Sequence, residues 1–151
     1  MRWLLVLTLL LAGCGFHLQG SAPAQAELPV FSISGLPESH PLVQELDHQR
    51  SLYRQQPEHQ WRAQISELQW QQRALSHAVD GTAVEYELRL ELHVDVLDQQ
   101  SQTVMSFPVS VAGDYSFSPT LILSKGVEET RLREELIQRT ASIILRRLAY
   151  H

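Results

Sequence analysis

Residues 84–96 read Val-Glu-Tyr-Glu-Leu-Arg-Leu-Glu-Leu-His-Val-Asp-Val, which is the most regular pattern in the chain. Apolar and polar side chains alternate over the whole stretch, and this is the period of a β-strand. The apolar side chains therefore lie on one face of the strand and the polar ones on the other. Such a strand belongs in an antiparallel sheet with one buried and one solvated face.

The segment before this strand predicts a second, less regular one over residues 61–76. Its apolar phase slips between Ile65 and Leu68, and a β-bulge would explain the slip. Asp80-Gly81 then predicts the turn that joins the two strands.

The segment after the alternating strand predicts a return strand. Residues 98–102 form the turn, and apolar residues recur at every second position from Met105 to Val111, with Tyr115 and Phe117 beyond. Pro108 has no amide hydrogen to donate, so we expect this strand at a sheet edge or bulged at that point.

Two helices and one further strand complete the prediction. A strand of about six residues begins at Leu28, and a helix then starts with Ser39 as its candidate N-cap and is stopped by Pro57. A long helix follows the Ser124-Lys125-Gly126 segment. Its predicted buried face comprises Leu132, Leu136, Ile137, Thr140, Ile144 and Leu148. The order β-α-β-β-β-α predicts an α+β domain: a single, mostly antiparallel four-stranded sheet with two helices packed on one face.

The amino end has the composition of a secretory signal. Arg2 supplies a positive charge, and the apolar run from Trp3 to Leu11 is too short to span a bilayer, which takes about 20 residues. Leu11-Ala12-Gly13-Cys14 resembles the bacterial lipobox, in which the cysteine is acylated and the segment ahead of it is removed. The alternative is an ordinary export signal with a chance cysteine.

These features divide the chain into three parts. Residues 1–13 are the predicted lipoprotein signal peptide, residues 14–27 the lipidated Cys14 and a tether, and residues 28–151 one domain. No disulfide can form within the chain because Cys14 is its only cysteine. A formal charge of -5 with a single lysine argues against nucleic acid as a partner.

The pattern of reactive residues argues against an enzyme and against a metal or cofactor site. None of the seven histidines has a partner at the i, i+4 spacing of a helical zinc site, and no Gly-x-Ser-x-Gly turn occurs. The histidines are His17, His40, His48, His59, His77, His93 and His151. Glu85, Glu87, Glu91 and Asp95 line the polar face of the alternating strand, where nothing would desolvate a carboxyl group to raise its pKa.

Lys125, the only lysine, lies where the chain is expected to enter the last helix. Backbone amides at a helix start favour an anion, so a phosphate-bearing ligand could bind there. The alternative is an ordinary exposed surface lysine.

Three segments resemble one family: Cys14-Gly15-Phe16-His17-Leu18, Glu85-Tyr86-Glu87-Leu88, and the run from Tyr115 to Leu148. That family is LptE, the lipopolysaccharide-assembly lipoproteins. The resemblance covers essentially the whole chain after the signal, and it is weakest over residues 36–78. The first of the three segments is the most specific.

The resemblance implies a non-enzymatic lipoprotein that plugs and helps assemble the LptD β-barrel, binds lipopolysaccharide and takes part in its transport to the outer leaflet. It implies that Lys125 contacts the phosphates of lipid A. Where a second basic residue is expected near Asp80-Gly81, this chain has His77 and Val79. Gly15 replaces the Asp of the inner-membrane retention signal, so the expected location is the periplasmic side of the outer membrane. The alternative is a lipoprotein that binds another periplasmic or lipid partner.

Overall fold

A computed structural model of the chain describes residues 27–79, 81, 83–116 and 122–150. Its elements are β1 (Glu27–Ser34), α1 (Pro41–Arg50), β2 (Arg54–His77), β3 (Ala83–Leu97), β4 (Thr103–Ser116) and α2 (Ile122–Ala149). The four described strands form one sheet in the order β1-β2-β3-β4. Only the β1–β2 pair is parallel, so the prediction of a mostly antiparallel α+β sheet is confirmed.

The alternating strand is β3, and it lies between β2 and β4 as a central strand. Leu88, Leu90, Leu92, Val94 and Val96 on its apolar face are all buried against the helices. The return strand is β4 at the edge of the sheet, a position where proline is tolerated, and Pro108 lies opposite His93 of β3. Both predictions for this hairpin are confirmed.

Strand β2 contains the predicted bulge. The pairing with β3 shifts register between Ser66 and Gln69, and Glu67 within the shift has a φ of 54°. The extra residues bring Trp70 onto the helix-facing side of the strand after Ile65, which is why the apolar phase slips in the sequence.

Strand β2 is also longer than predicted, since it begins at Arg54 rather than near residue 61. Pro57 does not stop a helix but lies within this strand. It falls where the β1–β2 pairing jumps from Pro29–Gln56 to Val30–Gln60, so the missing amide hydrogen coincides with an interruption of the ladder.

Helix α1 is shorter than predicted and begins one residue later. His40, not Ser39, is the N-cap, because its Nδ1 accepts a hydrogen bond from the Leu42 amide at 3.1 Å. The helix ends at Arg50. Tyr53 is therefore outside the helix, although it still packs against the core.

Helix α2 begins at Ile122, ahead of the Ser124-Lys125-Gly126 segment that was expected to precede it. The predicted buried face is otherwise confirmed, with Ile137 half-buried. Gln49 of α1 donates to the Gln138 carbonyl at 3.1 Å and accepts from Ser142 at 2.9 Å, so the two helices lie side by side. Neither helix in the described residues combines the length and apolar composition that crossing a membrane requires.

Candidate functional site

The sheet has two distinct ends, and the chain enters at one of them. Glu27, the first described residue, pairs with Arg54 at the start of β2. At the other end His77 pairs with Ala83 across the turn, and β4 finishes at Ser116. We call this second end the distal end, because it lies farthest from the point where residues 14–26 join the domain.

Helix α2 begins near the distal end, since only five residues separate Ile122 from Ser116. Lys125 is the fourth residue of α2, so its backbone lies in the first helical turn and not ahead of the helix. The segment itself is therefore helical, and the side chain of Lys125 lies outside the part of the chain that the structure describes.

A set of polar side chains from three elements joins the first turns of α2 to the sheet. Gln72 of β2 donates from Nε2 to the Tyr115 hydroxyl at 2.5 Å. The Tyr115 hydroxyl donates in turn to Glu129 Oε2 at 3.3 Å. Tyr115 also stacks on Tyr86 of β3, with ring centroids 5.5 Å apart. The chain of contacts therefore runs from β2 through β4 to α2.

Glu129 makes a second set of contacts within α2. Arg133 donates to Glu129 Oε1 from Nε at 3.0 Å and from Nη2 at 2.8 Å. The Arg133 guanidinium lies over the ring of Trp70, 4.6 Å from its centroid, where cation–π attraction favours it. We refer to Trp70, Gln72, Tyr115, Glu129 and Arg133 as the distal clamp.

The Tyr115 hydroxyl stays protonated well above neutral pH. Burial raises its pKa above the usual value of 10.0, and the charge of Glu129, which accepts its proton in a hydrogen bond, raises the pKa further. The hydrogen bond from Gln72 acts in the opposite direction but does not reverse the shift. At neutral pH the hydroxyl is therefore a hydrogen-bond donor to Glu129.

The turn at the distal end carries no second cation among its described side chains. His77 ends β2 and Val79 follows it, and both are exposed. Gly81 donates its amide hydrogen to the Ala78 carbonyl at 2.9 Å with a φ of 84°, as the predicted turn requires. Leu75 near the end of β2 and Val79 in the turn are exposed apolar residues at this end.

The solvated face of the sheet brings one serine, histidine and aspartate together, although the sequence shows them scattered. Ser106 Oγ donates to Asp95 Oδ1 at 2.6 Å and lies 2.8 Å from His93 Nε2. His93 Nε2 is itself 3.5 Å from the same carboxylate oxygen. A hydrolytic triad needs the serine to donate to histidine and the carboxylate to hold the other ring nitrogen. Here the serine and the aspartate both lie at the same ring nitrogen, His93 Nε2, so this relay is not formed.

Two acidic residues of the same face have basic or polar partners on neighbouring positions. Arg89 lies 3.0 Å and Arg73 3.6 Å from Glu87 Oε1, and Gln71 donates to Glu91 at 3.0 Å. These contacts fit a solvated ionic surface, since all of these side chains keep some exposure.

Within the described part of the chain, no three His, Cys, Asp or Glu side chains come together as metal ligands would. Cys14 and its predicted lipid, together with the tether that contains His17, lie outside the described residues.

The distal clamp was not predicted from the sequence. Tyr115 was placed correctly on the apolar face, but no local pattern shows that its hydroxyl would meet Gln72, which is 43 positions away in the chain. The Glu129–Arg133 pair has the i, i+4 spacing of a helical ion pair, and this is the one signal that was available.

Comparison with known proteins identifies the family. The profile of the LptE family, described as lipopolysaccharide-assembly, matches residues 31–148. No match was found among curated protein sequences.

Solved structures show the same fold. Rare lipoprotein B from Shewanella oneidensis is similar with a TM-score of 0.67 and 21% identity, covering 80% of this chain and 93% of that one. Lipoprotein B from Nitrosomonas europaea gives 0.67 and 22%, covering 89% and 90%. A minor lipoprotein from Acinetobacter baumannii gives 0.62 and 15%, covering 83% and 91%. Because the family profile spans most of the folded domain, this chain belongs to the LptE lipopolysaccharide-assembly family.

Proposed function

We propose that this protein is a non-enzymatic lipoprotein of the outer membrane that plugs and helps assemble an LptD β-barrel and binds lipopolysaccharide on its way to the outer leaflet. The observation that carries the proposal is the LptE family match over residues 31–148. Ser106, His93 and Asp95 are not arranged as a hydrolytic triad, and this agrees with a role in binding rather than catalysis.

The two-ended sheet suits a protein that is tethered at one end and acts at the other. In the proposal Cys14 carries the lipid, and the tether joins the domain at Glu27, opposite the distal end. Strand β2 runs from one end to the other in 24 residues, a contour length of roughly 75 Å at about 3.3 Å per residue. The distal end can therefore reach far from the inner leaflet in which the lipid is held.

Lys125 is the proposed contact for the lipid A phosphates. We expect Lys125→Asp to weaken binding of purified lipopolysaccharide by about tenfold or more, because it replaces an attraction to phosphate by a repulsion. Binding is measured with the purified domain and fluorescent lipopolysaccharide, and circular dichroism checks that the fold is kept.

Arg131→Asp is the matched control for this charge reversal. It changes the net charge by the same amount on an exposed position of the same helix. Its effect should be less than about threefold, since an exposed charge at a distance is screened by salt. Equal binding by wild type and Lys125→Asp would show that Lys125 is an ordinary surface lysine with no part in binding the phosphates.

The barrel partnership has its own test. The full-length protein with a carboxyl-terminal tag, purified from membranes in mild detergent, should bring down one large outer-membrane β-barrel in a one-to-one complex. Cys14→Ala serves as the control for the anchor, because it removes only the acylated thiol. Recovery of the wild-type lipoprotein without any barrel would contradict the plug function and favour another periplasmic or lipid partner.

A further inference from the structure

Strand β1 is an edge strand, because β2 is its one partner among the described strands. The backbone groups on the outer side of an edge strand can pair with a further strand, and proteins associate or aggregate in this way. A groove of about 730 Å³ lies along residues 28–33 of β1 and is also lined by Val43, Asp47 and Arg50 of α1. The edge of β1 therefore borders open space and not a packed neighbour.

Arg50, the last residue of α1, reaches from the helix to the backbone of β1. Its Nη1 donates to the carbonyl oxygen of Phe31 at 3.2 Å, and its guanidinium carbon lies 5.8 Å from the centroid of the Phe31 ring. Asp47, one turn earlier in α1, lies 3.1 Å from Arg50 Nη2 through its Oδ1. The guanidinium is thus held by a carboxylate on the helix and by the backbone of the strand.

The carbonyl oxygen that Arg50 takes is one that an added strand would need. Carbonyls that bond to β2 lie between two strands about 4.8 Å apart, whereas a guanidinium in the groove reaches the outer side of β1. A hydrogen bond from a charged donor is stronger than the bond from an amide that would replace it. Pro29, two residues earlier, has no amide hydrogen to offer an added strand. An incoming strand would therefore have to displace Arg50 and separate it from Asp47.

We propose that Arg50 closes the β1 edge against a second copy of this chain and so prevents the domain from associating edge to edge. The partner excluded is another copy, because the same edge on two copies can pair antiparallel about a two-fold axis. The proposal concerns self-association and holds whether or not the protein binds lipopolysaccharide. A protein that joins its partner as a single copy, as proposed above, needs such protection.

Arg50→Met tests the proposal, because it removes the donor and the charge but keeps an unbranched side chain beside the Phe31 ring. Every variant is made in the predicted mature chain, residues 14–151, with Cys14→Ala, so that no acyl chain contributes to association. Sedimentation equilibrium should give Arg50→Met an association constant at least about tenfold above that of the parent chain, since pairing no longer breaks a hydrogen bond from a charged donor. Hydrogen exchange should show new protection in residues 29–33 and none in β4.

Arg139→Met is the matched control. It removes the same charge from an arginine of α2 that pairs with Glu135 of its own helix, as Arg50 pairs with Asp47. Its association constant should stay within about twofold of the parent chain, because an exposed ion pair away from the β1 edge contributes little.

Asp47→Asn is a second variant, which keeps Arg50 and removes one of the two groups that hold it. Association should rise by about twofold to fivefold, in keeping with the small energy of an exposed ion pair. This variant keeps the proposal testable if Arg50→Met does not fold, which circular dichroism checks. An Asp47→Asn chain no more associated than the parent would then count against the proposal.

Three other results would overturn the inference. If Arg50→Met folds and is as monomeric as the parent chain, its bond to Phe31 contributes to stability alone. If Arg139→Met associates as strongly as Arg50→Met, the net charge governs association and the β1 edge does not. If Arg50→Met associates but the new protection appears outside β1, the two copies meet through another surface.

Discussion

Replacing Gly35 with alanine is expected to lower the free energy of unfolding by about 3–5 kcal/mol, the range of the most disruptive single substitutions. Gly35 follows β1 and has a φ of 91°, a conformation that residues with a side chain rarely adopt. A Cβ atom there would lie 1.9 Å from the carbonyl oxygen of Ile65. The strand end would have to move away from β2, because a backbone carbonyl in a sheet cannot rotate aside.

Two other glycines separate the contributions of strain and clash. Gly81 has a φ of 84°, but a Cβ atom there meets nothing within 4 Å, so Gly81→Ala should cost only about 1 kcal/mol of backbone strain. Gly126 lies inside α2 with open space around it. Gly126→Ala should therefore stabilise the protein by about 0.5–1 kcal/mol through helix propensity.

Urea unfolding of the three variants, followed by circular dichroism, measures these differences. The expected order of stability is Gly126→Ala, wild type, Gly81→Ala and then Gly35→Ala. A Gly35→Ala protein as stable as Gly81→Ala would contradict the close approach of the chain after β1 to strand β2.

The second large effect is expected at Ile144, in the half of α2 that packs beside α1. Its side chain is 0% exposed and belongs to the larger core cluster, to which both helices and all four described strands contribute. Ile144→Ala should lower the free energy of unfolding by about 2–5 kcal/mol, because the lost transfer energy adds to the cost of the cavity that remains.

This loss is a large part of the stability that a domain of this size has, which is typically about 5–15 kcal/mol. No intramolecular disulfide can compensate, since Cys14 is the only cysteine. Leu52→Ala is the control, because that side chain is 69% exposed and its removal should change stability by no more than about 0.5 kcal/mol. Equal unfolding midpoints for the two variants would show that Ile144 of α2 is not packed in the core between the helices and the sheet.

Local patterns in the sequence were sufficient for the elements that are regular and that pair with their neighbours in the chain. The alternation over residues 84–96, the edge position of Pro108 and the bulge after Ile65 were all predicted. Each depends on a side-chain period or on the chemistry of one residue, and both are properties of a short segment.

Predictions failed where a partner distant in the chain decides the conformation. The first residues of β2 are polar and contain Pro57, so they show no strand period, yet they pair with β1. The start of α2 was predicted too late. The segment with Gly126 was expected ahead of the helix, but the helix begins at Ile122 and includes it. Local propensity is a weak term there compared with hydrogen bonding and packing against the sheet.

The candidate site divides in the same way. The sequence by itself determined the α+β class, the family resemblance and the presence of a single lysine at position 125, and it predicts the lipidation signal ending at Cys14. Only the tertiary structure decided what surrounds the Glu129–Arg133 pair, because Tyr115 reaches Glu129 from β4 and Trp70 lies beneath Arg133 from β2. Such contacts join residues that are far apart in the chain, and their geometry exists only once the helix has packed on the sheet.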